Sequence, residues 1–340
     1  MPVIPAKYSS FAGMTAKCGN DGASTQVFYH FQKGKITAAA NSTQKPMKIY
    51  LNGQLVPKEE AKISVFDHGF LYGDGVFEGL RVYNRRVFRL DAHIERLYRS
   101  AKAIWLTPPH SPAKMARIIQ DTVRANEIEN GYVRAIISRG PGDLGLDPRK
   151  CPQATVVVIA DVITLYPPEV YEQGMECVTA STRRSRPDVL SPAIKSLNYL
   201  NHIMAKIECI RAGVPECIML NDRGLVAECS ADNVFILFRD YSGKTELRTP
   251  PITAGALEGI TRDAVIQIAR EIGVDCVERD IALFDIYSAD EAFLTGTAAE
   301  VVAMTTLDNR QIGSGKPGEI TKKITARYRE LTQTEGEPIF

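Results

Sequence analysis

The sequence is poor in several things that would announce a function. Its 41 basic and 40 acidic residues leave a formal charge of +1, so it has no overall field to gather nucleic acid or an anionic membrane. A small-molecule partner is the expectation. No run approaches the roughly 20 apolar residues of a membrane span, and the N-terminus lacks a basic stretch followed by an apolar core and a small-residue cleavage site. A cytoplasmic location follows as an expectation. Seven cysteines, an odd number, are widely spaced with no Cys-x-x-Cys pair, which reads as buried thiols in a reducing compartment. Only five histidines occur, none with His-x-x-x-His or His-x-Cys spacing, so no metal site is expected. There is no Gly-x-Ser-x-Gly elbow. Gly313-Ser-Gly-Lys-Pro-Gly318 has Pro317 where a phosphate loop needs Ser or Thr, and Gly73-Asp-Gly75 reads as a hairpin turn.

What is present is enough apolar side chain, 44% of 340 residues, for one large or two medium cores. Residues 1–46 have Asp21 as their only acid and show no periodicity; they read as a disordered extension without catalytic role, a mis-assigned start or a transit peptide. Lys48 to Gly53 begins the first strand pattern. Asp91 is expected to cap a helix bearing Ile94, Leu97, Ala101 and Ile104. Ser111 and Pro112 open another with Met115, Ile118, Ile119 and Val123 on one side. Strands at Tyr132 to Ser138 and Ala154 to Ala160 complete a small α/β domain over 47–160. Residues 161–168, ending in a Pro pair, read as the interdomain linker. The larger domain, 169–340, shows strands at Glu176 to Ser181, Glu216 to Asn221 and Leu225 to Phe238. Its helices are expected over Ser196 to Ala212, from near Thr261, and over Ile320 to Thr332. The alternation implies an α/β or α+β fold around a mixed sheet.

Three local features invite chemistry. Lys195 lies just ahead of an apolar helix in Ile194-Lys-Ser-Leu-Asn-Tyr-Leu200. Glu228 sits among small and apolar residues in Leu225-Val-Ala-Glu-Cys-Ser-Ala-Asp-Asn-Val-Phe235, where a lone carboxylate is costly unless paired. Gly259-Ile-Thr-Arg-Asp263 opens a helix whose free amides at Ile260 and Thr261 suit a dianion. Taken singly, each has a plainer reading: a surface lysine, an edge-strand glutamate, an N-cap threonine.

Taken together with Phe70 to Arg81, His93 to Leu97, Gly131 to Arg134 and Thr295 to Glu300, they resemble the class IV, fold type IV, pyridoxal-phosphate aminotransferases, from about Met47 almost to the C-terminus. The resemblance implies a two-domain fold with pyridoxal 5'-phosphate as cofactor. It implies that Lys195 holds the cofactor and shuttles the proton between the substrate α-carbon and cofactor C4′. By the same resemblance Tyr199 contacts the cofactor 3-oxygen, and Glu228 keeps the pyridine nitrogen protonated. Arg96, Ile260, Thr261 and Thr297 would meet the phosphate. On helical periodicity alone Arg96 reads as solvent-facing.

Within the family, Tyr72-Gly-Asp-Gly-Val-Phe-Glu-Gly-Leu-Arg81 and Tyr132-Val-Arg134 resemble the branched-chain type. Tyr72, Phe77 and Gly79 would line the substrate pocket, Tyr132 and the Thr297–Ala298 turn would meet the α-carboxylate, and Arg134 would pair with the side-chain carboxylate of glutamate. An enzyme that accepts both leucine and glutamate needs an apolar pocket with a cation at its edge. Leu146, in Leu144-Gly-Leu146, would come from the neighbouring subunit of a homodimer. The linker lacks a tryptophan found in some bacterial relatives. The expected reaction is transfer of the amino group of L-Leu, L-Ile or L-Val to 2-oxoglutarate in two half-reactions. A D-amino-acid or amine transaminase of the same fold, and a non-enzymatic binding protein, stay open as alternatives.

Overall fold

A computed structural model describes residues 46–163 and 165–339, so the expectation for residues 1–46 falls, but for Pro46, outside the described residues. Two sheets organise the rest. The first is antiparallel throughout and runs in the order Glu337–Pro338, Arg86–Val87, Gly75–Tyr83, Gly131–Ser138, Thr155–Asp161, Lys48–Leu51, Gln54–Pro57. Its longest pairing sets Gly79 opposite Arg134 and Arg81 opposite Tyr132. Helices Leu90–Ala103 and Pro112–Ala125 cover it, with Leu97, Met115 and Ile119 packed against Val133 and Val156. Ser111 caps the second of these through Lys114 N at 3.3 Å, with Pro112 in the first turn, as its sequence predicts.

The second sheet mixes directions. Asn233–Arg239 and Glu291–Gly296 pair antiparallel at its centre, whereas Met175–Thr179 pairs parallel to both Glu216–Leu220 and Glu300–Leu307. Alternation along the central strands splits two cores. Phe235, Phe293 and Val301 face helices Ile260–Glu271 and Glu319–Thr334, while Val234, Leu294 and Val302 face the other side. With both faces buried, these strands run apolar through their middles, and each large side chain so buried contributes about 1.5–3 kcal/mol.

Four local expectations are corrected. Asp91 lies in the first turn of its helix, and Arg89, in a left-handed conformation with φ 47°, takes the cap position. The helix expected from Ser196 begins at Leu200, because Lys195 to Leu197 are drawn out by bonds to the first sheet. Leu225 to Phe238 is two strands, Val226–Cys229 and Asn233–Arg239, broken at Ser230 to Asp232. Gly73 ends a short helix, His68–Tyr72, in the left-handed conformation rather than turning a hairpin. Among the described residues no helix is long and apolar enough to cross a membrane. The six described cysteines are free; Cys151 and Cys276 are half-buried and the others buried.

Candidate active site

Lys195 is placed by the seam between the sheets. Its carbonyl accepts from Phe77 N at 3.0 Å, its own amide donates to Ser100 Oγ at 3.2 Å, and Leu197 N donates to Gly75 O at 2.9 Å. Three such ties fix the backbone on both sides of the lysine. Its Nζ lies 4.7 Å from the centre of the Phe77 ring and donates to Tyr199 Oη at 3.5 Å. Burial, and then the nearby Arg96 cation, lowers the amine from 10.5 to about 8. A lysine so placed is a nucleophile near neutral pH.

Arg96 is buried, not solvent-facing. Its Nε and Nη2 form a fork on Glu78, at 2.7 and 2.8 Å, and its Nη1 donates to Glu258 O at 2.6 Å. Burial alone would raise the Glu78 carboxyl, but Arg96 and His93, the latter at 2.7 Å, overcome it and hold Glu78 well below the usual carboxylate range. Sequence reading passed over Glu78. It lies 18 positions from Arg96, and only the fold joins them.

Glu228 has a protein partner. One oxygen accepts from Arg184 Nε at 2.7 Å and the other from Leu257 N at 2.8 Å. Arg184, 44 residues away, was also missed, as was His202. The His202 ring stacks on Tyr199 with centroids 4.2 Å apart, and its Nδ1 donates to Ser230 O at 2.6 Å. Burial, with Arg184 as the next cause, lowers His202 to about 3, so the ring is neutral and holds Tyr199 by stacking rather than charge.

Of these groups Lys195, Arg96, Tyr199 and His202 line a cavity of about 400 Å³. Phe77, Gly79, Tyr132 and Arg134 form one wall, with the Arg134 guanidinium 4.6 Å from the Phe77 ring centre and 3.2 Å from Tyr132 Oη. Lys195, Tyr199 and Arg96 form a second. Ile260 and Thr261 open the helix after Gly259, whose cap position has no side-chain bond; with Thr297 and Ala298 they form a third. Gly259 has no room for a Cβ, which would stand 2.0 Å from Asn233 Oδ1. The buried Thr295 hydroxyl, also on the lining, has no partner. An uncapped 12-residue helix beside a buried arginine and an unpartnered hydroxyl can hold a phosphate-sized anion.

Comparison with known proteins matches residues 75–307 to the model of "Amino-transferase class IV". The chain belongs to the class IV aminotransferase family. A Methanocaldococcus jannaschii protein, provisionally named a branched-chain-amino-acid aminotransferase, is 47% identical over 294 residues, covering 86% of this chain and 99% of that one. The crystal structure of a branched-chain aminotransferase from Thermoproteus uzoniensis with norvaline superposes with a TM-score of 0.81 at 38% identity, covering 87% of this chain and 100% of that one. That of the branched-chain amino acid aminotransferase from Thermobaculum terrenum, in its PLP form, gives 0.76 at 31% identity, covering 85% and 95%.

Three residues expected at this class IV aminotransferase's site stand outside the cavity lining. Glu228 borders a smaller adjoining space of about 30 Å³ together with Lys195 and Tyr199. Tyr72 is partly exposed, and its hydroxyl donates to Leu144 O at 2.7 Å. Leu146 is 79% exposed. The stretch read from the sequence as a linker contributes instead: Ile163, Leu165 and Tyr166 line the cavity.

Proposed function

We propose that the protein is a pyridoxal-phosphate-dependent transaminase that moves the amino group of a branched-chain L-amino acid to 2-oxoglutarate. The observation that carries the reading is the Lys195 amine, buried in the cavity and readily neutral, between the Arg96 side and the Arg134 wall. The residues fit the cofactor. The uncapped helix start at Ile260 and Thr261, the Thr295 hydroxyl with no partner and Arg96 suit its phosphate. Glu228, anchored by Arg184 and Leu257 N, has lone pairs left for a ring N–H. When bound, pyridoxal phosphate supplies an electron sink for the substrate α-carbon.

The chain's own groups do the rest. Lys195 Nζ would carry a proton from the substrate α-carbon to cofactor C4′ in the first half-reaction and in the reverse direction in the second. Tyr199 Oη accepts from Nζ and keeps it aimed. Phe77 offers an aliphatic side chain an apolar wall, while Arg134 at its edge gives the second carboxylate of glutamate a partner that neither leucine nor valine needs. We further propose that two copies assemble, with the exposed Leu146 of one closing the cavity of the other; its 79% exposure in a single chain supports this.

The test compares L-leucine with D-alanine as donors to 2-oxoglutarate, alongside borohydride reduction of the purified protein. Faster turnover of leucine and a reduced cofactor adduct on Lys195 are expected. Faster turnover of D-alanine refutes the substrate assignment, and failure to trap any cofactor at Lys195 refutes the enzyme.

A further inference from the structure

The wall bearing Thr297 and Ala298 is the turn between strands Glu291–Gly296 and Glu300–Leu307, which closes on the pair Gly296–Glu300. Glu300 has φ 63°, the left-handed conformation that a glycine adopts freely and a residue with a Cβ does not. Of the other non-glycine residues with positive φ, Asn52, Asn84, Arg85, Asp308 and Asn309 sit in hairpin turns and Arg89, Trp105 and Glu127 beside helix ends, all outside the cavity lining. Glu300 ends the turn that holds part of its lining. A glutamate kept where glycine would be easier directs attention to its side chain.

That side chain crosses from one sheet to the other. The Glu300 carboxylate accepts from Tyr83 Oη at 2.8 Å and from Arg81 Nη2 at 3.4 Å. Both donors lie on Gly75–Tyr83, the strand that presents Phe77 and Gly79 to the opposite wall of the cavity. The Arg81 guanidinium lies over the Tyr83 ring, 5.0 Å from its centre. Burial foremost, with Tyr328 and Glu300 beside it, pushes the Tyr83 hydroxyl up, so it stays a donor. The Glu300 and Arg81 side chains are only 19% and 16% exposed, so water competes weakly for this bond.

We propose that Glu300 is a positioning residue: through Tyr83 and Arg81 it locks the Thr297–Ala298 turn to the strand carrying Phe77 and Gly79, fixing the separation between the seat of the substrate's α-carboxylate and the wall against its side chain. The inference rests on the function proposed above. Donor and acceptor share the α-carboxylate, so loosening the lock weakens both alike, and the proton transfer at Lys195, held by its own three ties, changes little.

Glu300→Gly removes the clamp while relieving the backbone, and Glu300→Gln keeps an oxygen for Tyr83. With saturating pyridoxal phosphate, Glu300→Gly is expected to keep or raise Tm. Its KM for L-leucine and 2-oxoglutarate should rise together about tenfold, with kcat within about threefold, and Glu300→Gln should recover most of the loss. Unchanged KM values overturn the proposal. So does a fall in Tm with kcat dropping in parallel and no rescue by glutamine, which marks a merely structural residue. A wild type that fails to turn over leucine refutes the function instead. The clamp is then read without turnover, from pyridoxal phosphate affinity, because Thr297 also faces the phosphate side: weaker in Glu300→Gly and restored in Glu300→Gln supports it, equal constants overturn it.

Discussion

At the scale of single residues, the site is governed by what burial does to charge. Lys195 folds with its pKa lowered from 10.5 to about 8, by burial first and Arg96 second. Between those values the unfolded chain binds the proton and the folded chain does not, so in the cofactor-free protein the penalty for burying this amine is in force below about pH 8 and fades as pH rises. Capture of pyridoxal phosphate, which needs the neutral amine, should rise with pH through a midpoint near 8. Arg96→Gln removes a repelling cation and leaves Glu78 as an uncompensated anion; both effects stabilise the ammonium and shift the midpoint upward. Borohydride trapping across pH measures this, and a midpoint that stays or falls refutes the account. Arg134 makes a different claim. Its guanidinium rests on the Phe77 ring at the cavity edge, so Arg134→Ala should weaken glutamate and 2-oxoglutarate by about 2–3 kcal/mol in kcat/KM and leucine by far less. Equal losses would count against an edge cation.

Elements explain which of these residues could be read from the chain alone. Lys195, Tyr199 and the Gly259–Thr261 helix start were legible only through the resemblance of their short segments to a family, since each has a plainer reading alone, and the fold brings them to one cavity. Glu78 and Arg184 were not legible, because nothing near them in sequence says that Arg96 and Glu228 will lie against them. The helix boundary at Ser196 was misplaced for a related reason: propensity favours helix, but bonds to Gly75 and Phe77 on a distant strand hold the segment extended. Ser230-Ala-Asp232, by contrast, is a polar turn signal that the reading of one strand over Leu225 to Phe238 passed over. Strand geometry also makes a prediction. A Cβ on Gly79 would stand 1.9 Å from Tyr132 Oη, and that hydroxyl is the far end of a side chain able to swing away. Gly79→Ala should therefore cost only about 1 kcal/mol in urea unfolding while raising KM for every substrate about tenfold. A large loss of stability with normal KM would show that the close approach serves packing alone.

For the whole molecule, sheets covered by helices follow from the alternation of strand and helix patterns, whereas the cavity between them and the wall supplied by residues 163, 165 and 166 do not. Residues 161–168 read as a spacer because they end in a Pro pair, yet Tyr166 is buried and joins the lining. The proposed pairing of copies gives a test at this scale. Lys195→Ala lacks the amine, and Leu146→Asp spoils the closing loop. If each loop serves the neighbouring site, mixing and re-associating the two variants should produce sites with an intact lysine and an intact loop, and activity above the sum of the separate proteins. Activity no greater than that sum would place the loop in its own site.

The strand Glu337–Pro338 extends the first sheet beside Arg86–Val87, Ile339 N donates to Arg85 O at 3.0 Å, and the buried Ile339 belongs to the first core. Arg124 fastens the same stretch through Ile339 O at 2.6 Å. A ribosome delivers residues 48–161 long before 337–339, so the sheet formed by that early stretch must wait with a bare border while about half of the chain is still to be made. An unpaired strand edge of this kind invites pairing with another chain, and removing Glu337 to Ile339 would leave it open for good.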